Sequence, residues 1–139
     1  MRIVICGAGL VGSAIATHLA AEQNDVTVID HDEEKVQRIA EHADLSAIVG
    51  LASHPDVLER AGLDQAELII AVTESDEVNM VACQMAHSLF KTPTKIARIR
   101  SNAYLRSDIK SKFFTTENMP IDFIISPEQE VASAVSRQL

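Results

Sequence analysis

The sequence predicts a doubly wound α/β domain built on a parallel six-stranded sheet, and three observations carry that expectation. Six short apolar runs alternate with helical patterns; the runs are nearly continuous in Val, Ile and Ala; and a G-x-G-x-x-G cluster separates the first run from the first helical pattern. Strands covered on both faces by crossover helices need such continuous apolar character, because neither face meets water. The runs fall at 3–6, 26–29, 47–49, 68–72, 96–99 and 123–125, each bounded by turn residues.

The intervening segments read as helices. Residues 10–21 carry Val11, Ile15 and Leu19, and residues 33–40 carry Val36, Ile39 and Ala40, each a stripe of helical period. Pro55 opens a short helix through Leu58 to Ala61, which Gly62 ends. Residues 75–90 form the longest pattern, rich in Ala, Met and Val, and Pro93 closes it. The more polar stretch that follows predicts one helix over 102–110 and an irregular segment ending at Pro120. Ser126, Pro127 and Gln129 have the spacing of a capping-box start for a last helix running toward Leu139, with an apolar stripe of Val131, Ala132, Val135 and Leu139.

Length and composition bound the rest. The 139 residues make one domain, 47% hydrophobic and 23% charged, with no internal repeat, low-complexity tract or linker. The formal charge of −8 repels a nucleic-acid backbone or an anionic lipid surface, and no run of Lys or Arg offsets it. Cys6 and Cys83 lie far apart in apolar stretches without metal-ligand spacing, which suggests a reducing cytosolic compartment and neither a disulfide nor a zinc site. A membrane span needs about 20 apolar residues, so any membrane connection is expected through a partner.

The chemistry is expected at Gly7, Gly9 and Gly12, the G-A-G-L-V-G after the first strand. Gly7 allows the tight turn, Gly9 leaves room for a pyrophosphate, and Gly12 lets the helix pack closely on the strand. The helix start then offers unpaired N–H groups and a positive dipole end to phosphates. Asp30 closes the second strand at the distance where a carboxylate accepts hydrogen bonds from ribose hydroxyls. This combination is a Rossmann-like dinucleotide fingerprint. The acidic run Asp30, Asp32, Glu33 and Glu34 disfavours the 2′-phosphate of NADP, but a free 2′-hydroxyl is shared by NAD, ATP and ADP.

Other candidates gather where the carboxyl ends of parallel strands converge. Gly50, Leu51, Ala52 and Ser53 are small enough to border an adenine, or they form an ordinary loop with a Ser-His-Pro turn. Thr73, Glu74 and Asn79 either contact the ligand or serve, with Ser75, to cap the following helix. Arg98 and Arg100 share a face near the end of the fifth strand, where Arg100 serves a phosphate or an adjoining subunit. Lys35 reads as a surface helix residue, and the five scattered histidines as surface or packing residues.

Four motifs together resemble one family: G-A-G-L-V-G at 7–12, V-T-E-S-D-E-V-N-M-V-A-C-Q at 72–84, I-A-R-I-R-S at 96–101 and P-I-D-F-I-I-S-P-E-Q at 120–129. They are similar to the nucleotide-binding RCK or KTN domain of the TrkA-type subunits of Trk potassium-uptake systems, across essentially the whole chain. The resemblance implies a regulatory protein, not an enzyme, that binds NAD(H), or ATP or ADP. It also implies assembly as homodimers or rings beneath a membrane-embedded potassium transporter, peripheral at the inner face of the cell membrane. Carried over by position, Gly7, Gly9, Leu10 and Val11 would cradle the phosphates and Asp30 the adenosine ribose. Ala52 and Ser53 would border the adenine, and Thr73 and Glu74 the distal half, with Arg98 or Arg100 near phosphate or the subunit boundary. The last helix would be the family's C-terminal crossover helix. Relatives commonly continue into a further domain, so residues 1–139 are expected to be the N-terminal portion of a longer chain. A cofactor domain of an NAD-dependent oxidoreductase is the alternative; no convergent acid, base or metal cluster in the sequence supports it.

Overall fold

The computed structural model describes residues 1–126, and these form a single parallel sheet of six strands with helices on both faces. In chain order the elements are β1 (Arg2–Cys6), α1 (Leu10–Ala21), β2 (Asp25–Asp30), α2 (Glu33–His42), β3 (Ser46–Val49), α3 (Pro55–Arg60) and β4 (Leu68–Ala71). There follow α4 (Asp76–Ser88), β5 (Thr94–Arg98), α5 (Asn102–Leu105), α6 (Ser107–Phe113) and β6 (Phe123–Ile125). The spatial order is β3-β2-β1-β4-β5-β6, so the winding reverses between β1 and β4. The register sets Cys6 beside Ile29 on one side and Ala71 on the other, which brings the ends of three strands level at the reversal.

The pleat sorts the core into two layers. Along β1, Ile3 and Ile5 pack with Val26, Val28 and Ile70 beneath α1 and α2, while Val4 and Cys6 pack with Ile29, Ile69 and Ala71 beneath α3 and α4. Every residue of the 3–6 run is buried, as the continuous apolar pattern requires. Each fully buried isoleucine contributes about 1.5–3 kcal/mol of transfer free energy, so the central strands hold the fold together.

The six strands, their parallel direction and the longer helices match the sequence expectation, and the differences have local causes. Ala40 is exposed, so the buried stripe of α2 is Val36 and Ile39 alone. Gly62 takes a left-handed φ of 83° and redirects the chain into a 3-10 turn, Leu63–Gln65, that buries Leu63. The helix expected over 102–110 is two helices. Arg106 adopts φ −56° and ψ 133°, an extended conformation that ends α5 and starts α6, and its guanidinium closes on Asp108 at 2.7 Å. The crossover helix expected after Ser126 lies outside the described residues. Among the described residues no helix is long and apolar enough to cross a membrane.

Candidate functional site

The reversal between β1 and β4 opens a crevice of about 580 Å³ along the carboxyl ends of the strands, within the size range of small-ligand sites. Its floor is the turn from β1 into α1. Gly7 has φ 111°, a left-handed conformation open to glycine, and its N–H donates to the Ile29 carbonyl at 2.7 Å. A Cβ there would sit 2.8 Å from the Val72 carbonyl oxygen. At Gly12 a Cβ would lie 1.9 Å from the Gly7 carbonyl oxygen, so this glycine lets α1 close against its own entry turn. Gly9 differs from both: an added Cβ would meet nothing within 4 Å. It is the N-cap of α1 and supplies no side-chain acceptor, which leaves the first turn of the helix bare toward the crevice.

Asp30 ties this turn to the next strand. One carboxylate oxygen accepts from the Ala8 N–H at 2.7 Å and the other from the Asp32 N–H at 2.8 Å, and the side chain is buried. Each oxygen retains a further lone pair, so the group can fix the loop and still accept from a ligand hydroxyl. Asp32 in turn caps α2 through the Glu34 N–H at 3.0 Å.

On the far side of the reversal, the loop from β4 into α4 is held from below. Asn79 is fully buried; its carbonyl oxygen accepts from the Thr73 N–H at 2.9 Å and the Thr73 hydroxyl at 2.7 Å. Its amide donates to the carbonyls of Arg98 at 2.8 Å and Thr73 at 3.2 Å. The Arg98 guanidinium donates to the carbonyls of Val72 at 2.8 Å and Thr73 at 3.0 Å. Asp76, on the first turn of α4, accepts from the Arg100 N–H at 2.9 Å and the Ser101 N–H at 2.8 Å, and so staples the end of β5 to this loop.

The crevice brings together Gly7, Gly9, Leu10, Val11, Asp30, Ala52, Thr73, Glu74 and Arg100, nine of the residues that sequence reasoning proposed. Gly12 lies beneath the floor, and Ser53 follows Ala52 just outside the lining. Arg98 reaches the lining, but it is buried and bonded to carbonyls of the β4 end. Asn79 is an internal splice. Lys35, expected on the outer surface of its helix, also lines the crevice, as do His31 and Val78. The signal available for Lys35 was its place in the first turn of a helix entered from a strand's carboxyl end, a position that faces the ligand side of such a sheet.

Both cysteines are buried packing residues. Burial pushes the Cys6 thiol far above its ordinary range, and burial raises that of Cys83 to about 12 against the lowering effect of nearby Lys95. Among the described residues no cluster of His, Cys, Asp and Glu could hold a metal ion.

Sheet order, glycine turn and strand-end carboxylate define a Rossmann-like domain of the nucleotide-binding class. The family can be stated more narrowly. The TrkA-N domain model matches residues 3–127, and the chain belongs to that family. It is 53% identical over its whole length to the Trk system potassium uptake protein TrkA of Azorhizobium caulinodans and 49% identical over 99% of its length to that of Halomonas elongata. It spans 30% and 29% of those two proteins. Among solved structures it superposes on the TrkA-N domain of the Escherichia coli inner membrane protein ybaL with TM-score 0.78 at 20% identity, covering 99% of this chain and 96% of that one. It superposes on the GsuK channel bound to NAD with TM-score 0.70 at 18% identity, covering 89% of this chain and 21% of that one, and GsuK is also known with ADP. At these identities the structures establish the shared fold.

Proposed function

We propose that this domain is a regulatory rather than catalytic module that senses NAD(H), or ATP or ADP, for a potassium-uptake assembly. One observation carries the reading: the bare N-cap at Gly9 stands beside the carboxylate of Asp30, so a diphosphate and the ribose attached to it meet complementary groups in one crevice. The backbone N–H groups that open α1 receive the phosphates, and Asp30 accepts from the ribose hydroxyls. Ala52 and Leu51 border the adenine, while Thr73, Glu74 and Arg100 face the part of the ligand beyond the phosphates. The relatives' names and the NAD- and ADP-bound neighbour support a nucleotide-sensing role in potassium uptake.

Regulation follows if the nucleotide binds two arrangements of paired domains unequally, since a ligand of equal affinity for both shifts nothing. The partner is then a membrane-embedded potassium transporter subunit, with the domain held peripherally at the cytoplasmic face as part of a homodimer or ring. Titration calorimetry with NADH, NAD, ATP and ADP tests the binding step. Saturable binding of at least one is expected, and heats no larger than dilution for all of them would remove the reading.

A further inference from the structure

The glycine turn and Asp30 account for an adenosine diphosphate, but they do not account for the other half of the crevice. That half is lined by the segment that follows β4 and by Arg100, and the polar atoms of Thr73 in it are tied to one buried side chain, Asn79. Asn79 uses all four hydrogen-bonding positions of its carboxamide, two as acceptor from Thr73 and two as donor to the carbonyls of Thr73 and Arg98. The Thr73 carbonyl also accepts from Arg98, and the Thr73 hydroxyl accepts from the Ser75 N–H at 3.2 Å. Thr73 therefore enters the crevice wall with its N–H, its carbonyl and its hydroxyl already committed inside the protein. At Thr73 a ligand meets the shape of the wall rather than a free donor.

We propose that Asn79 is a positioning residue that determines whether the crevice accepts a whole dinucleotide or only its adenosine half. The inference rests on the nucleotide-sensing reading and goes further, because it assigns the choice between ligand classes to a side chain that does not line the crevice. By holding the ends of β4 and β5 together, Asn79 keeps the 73–75 segment clear of the space that the second nucleoside fills. The adenosine side, formed by Asp30 and residues 50–52, shares none of these bonds.

The test is Asn79→Asp, which preserves shape and removes both donors. With the carboxylate ionised, the carbonyls of Thr73 and Arg98 face a negative charge in place of an N–H, and the segment must move away. Burial favours the neutral form of the introduced carboxyl group and the nearby Arg98 guanidinium its ionised form, and once protonated the group regains one of the two donors. With the full chain at pH 8, NADH affinity is expected to fall at least about tenfold while ADP and AMP stay within about twofold, and lowering the pH toward 5.5 narrows the NADH gap between the variant and the parent.

Equal losses for NADH and ADP would reduce Asn79 to a general structural role, and unchanged NADH affinity would show that the wall does not depend on it. Either result overturns the proposal. If Asn79→Asp does not fold, Thr73→Val removes a single donor to Asn79, and the same NADH-to-ADP ratio decides: a ratio shifted at least about threefold against NADH supports the proposal and an unshifted ratio overturns it. A parent chain that binds ADP but not NADH defeats this proposal alone, whereas one that binds neither defeats the nucleotide reading as well.

Discussion

Placing a carboxylate at the N-cap of α1 should separate fold from ligand binding more cleanly than any other change. Gly9 has extended backbone angles, φ −72° and ψ −164°, and its missing Cβ would meet nothing within 4 Å, so Gly9→Asp introduces no clash. Aspartate is a better N-cap than glycine by a few tenths of a kcal/mol, and a negative charge at a helix start adds about 0.3–1 kcal/mol. Repulsion from Asp30, which bonds the neighbouring Ala8 N–H, offsets part of this. The net effect is about 0–1 kcal/mol of stabilisation, or a Tm unchanged to about 4 °C higher. Binding moves the opposite way. A carboxylate about 4 Å from one phosphate charge at an effective dielectric of about 20 costs about 4 kcal/mol, roughly a thousandfold in affinity, and a diphosphate carries more than one charge. Calorimetric unfolding and NADH and ADP titrations on one preparation measure both quantities. A variant that melts several degrees below the parent, or still binds within tenfold of it, would refute the placement of phosphate at Gly9.

Three further outcomes follow from the same geometry. Gly12→Ala drives a methyl against the Gly7 carbonyl oxygen, a backbone atom with nowhere to go, and should cost about 1–3 kcal/mol in urea unfolding and distort the entry turn. Asp30→Asn keeps one acceptor but turns an amide toward a backbone N–H; stability should fall by about 1–3 kcal/mol and nucleotide affinity about tenfold, measured by chemical denaturation and calorimetry. The buried thiols predict a pH effect. Both are raised above the unfolded value near 9, so above that pH the unfolded chain binds fewer protons than the native one, and stability falls as pH rises toward 12, by up to about 1.4 kcal/mol per pH unit for each thiol. Iodoacetamide at pH 8.5 should leave native Cys6 and Cys83 unlabelled and modify both in urea.

What the sequence made legible was what short-range chemistry dictates. A strand buried on both faces must be apolar throughout, which is why β1, β2 and β4 stood out, and Gly7 and Gly12 sit where any side chain would collide with backbone. The break at Arg106 was hidden because 102–110 contains no proline or glycine. Only the serine and aspartate that follow, residues suited to a helix start, hinted that a second helix begins there. At the site, sequence spacing found the rim of the crevice but could not divide polar residues by task. Arg98 and Arg100 lie two apart at the end of β5, yet Arg98 is drawn inward by the carbonyls of Val72 and Thr73 just after β4, while Arg100 remains exposed at the crevice. Asn79 and Glu74 looked equivalent as ligand contacts, and only tertiary packing shows that one is enclosed and the other faces out. Such assignments depend on partners 19 to 26 residues away in the chain, beyond the reach of local pattern.

Because all six strands point the same way, the two rims of the sheet have separate uses. The far rim carries the exposed Met1, the tight turn at Gln23 and the turn at Lys91, which lead into β1, β2 and β5. A fluorophore or a surface tether attached there would sit a strand's length from any ligand. Molecules immobilised by that rim would all present their crevices outward, in one orientation, to a flowing solution.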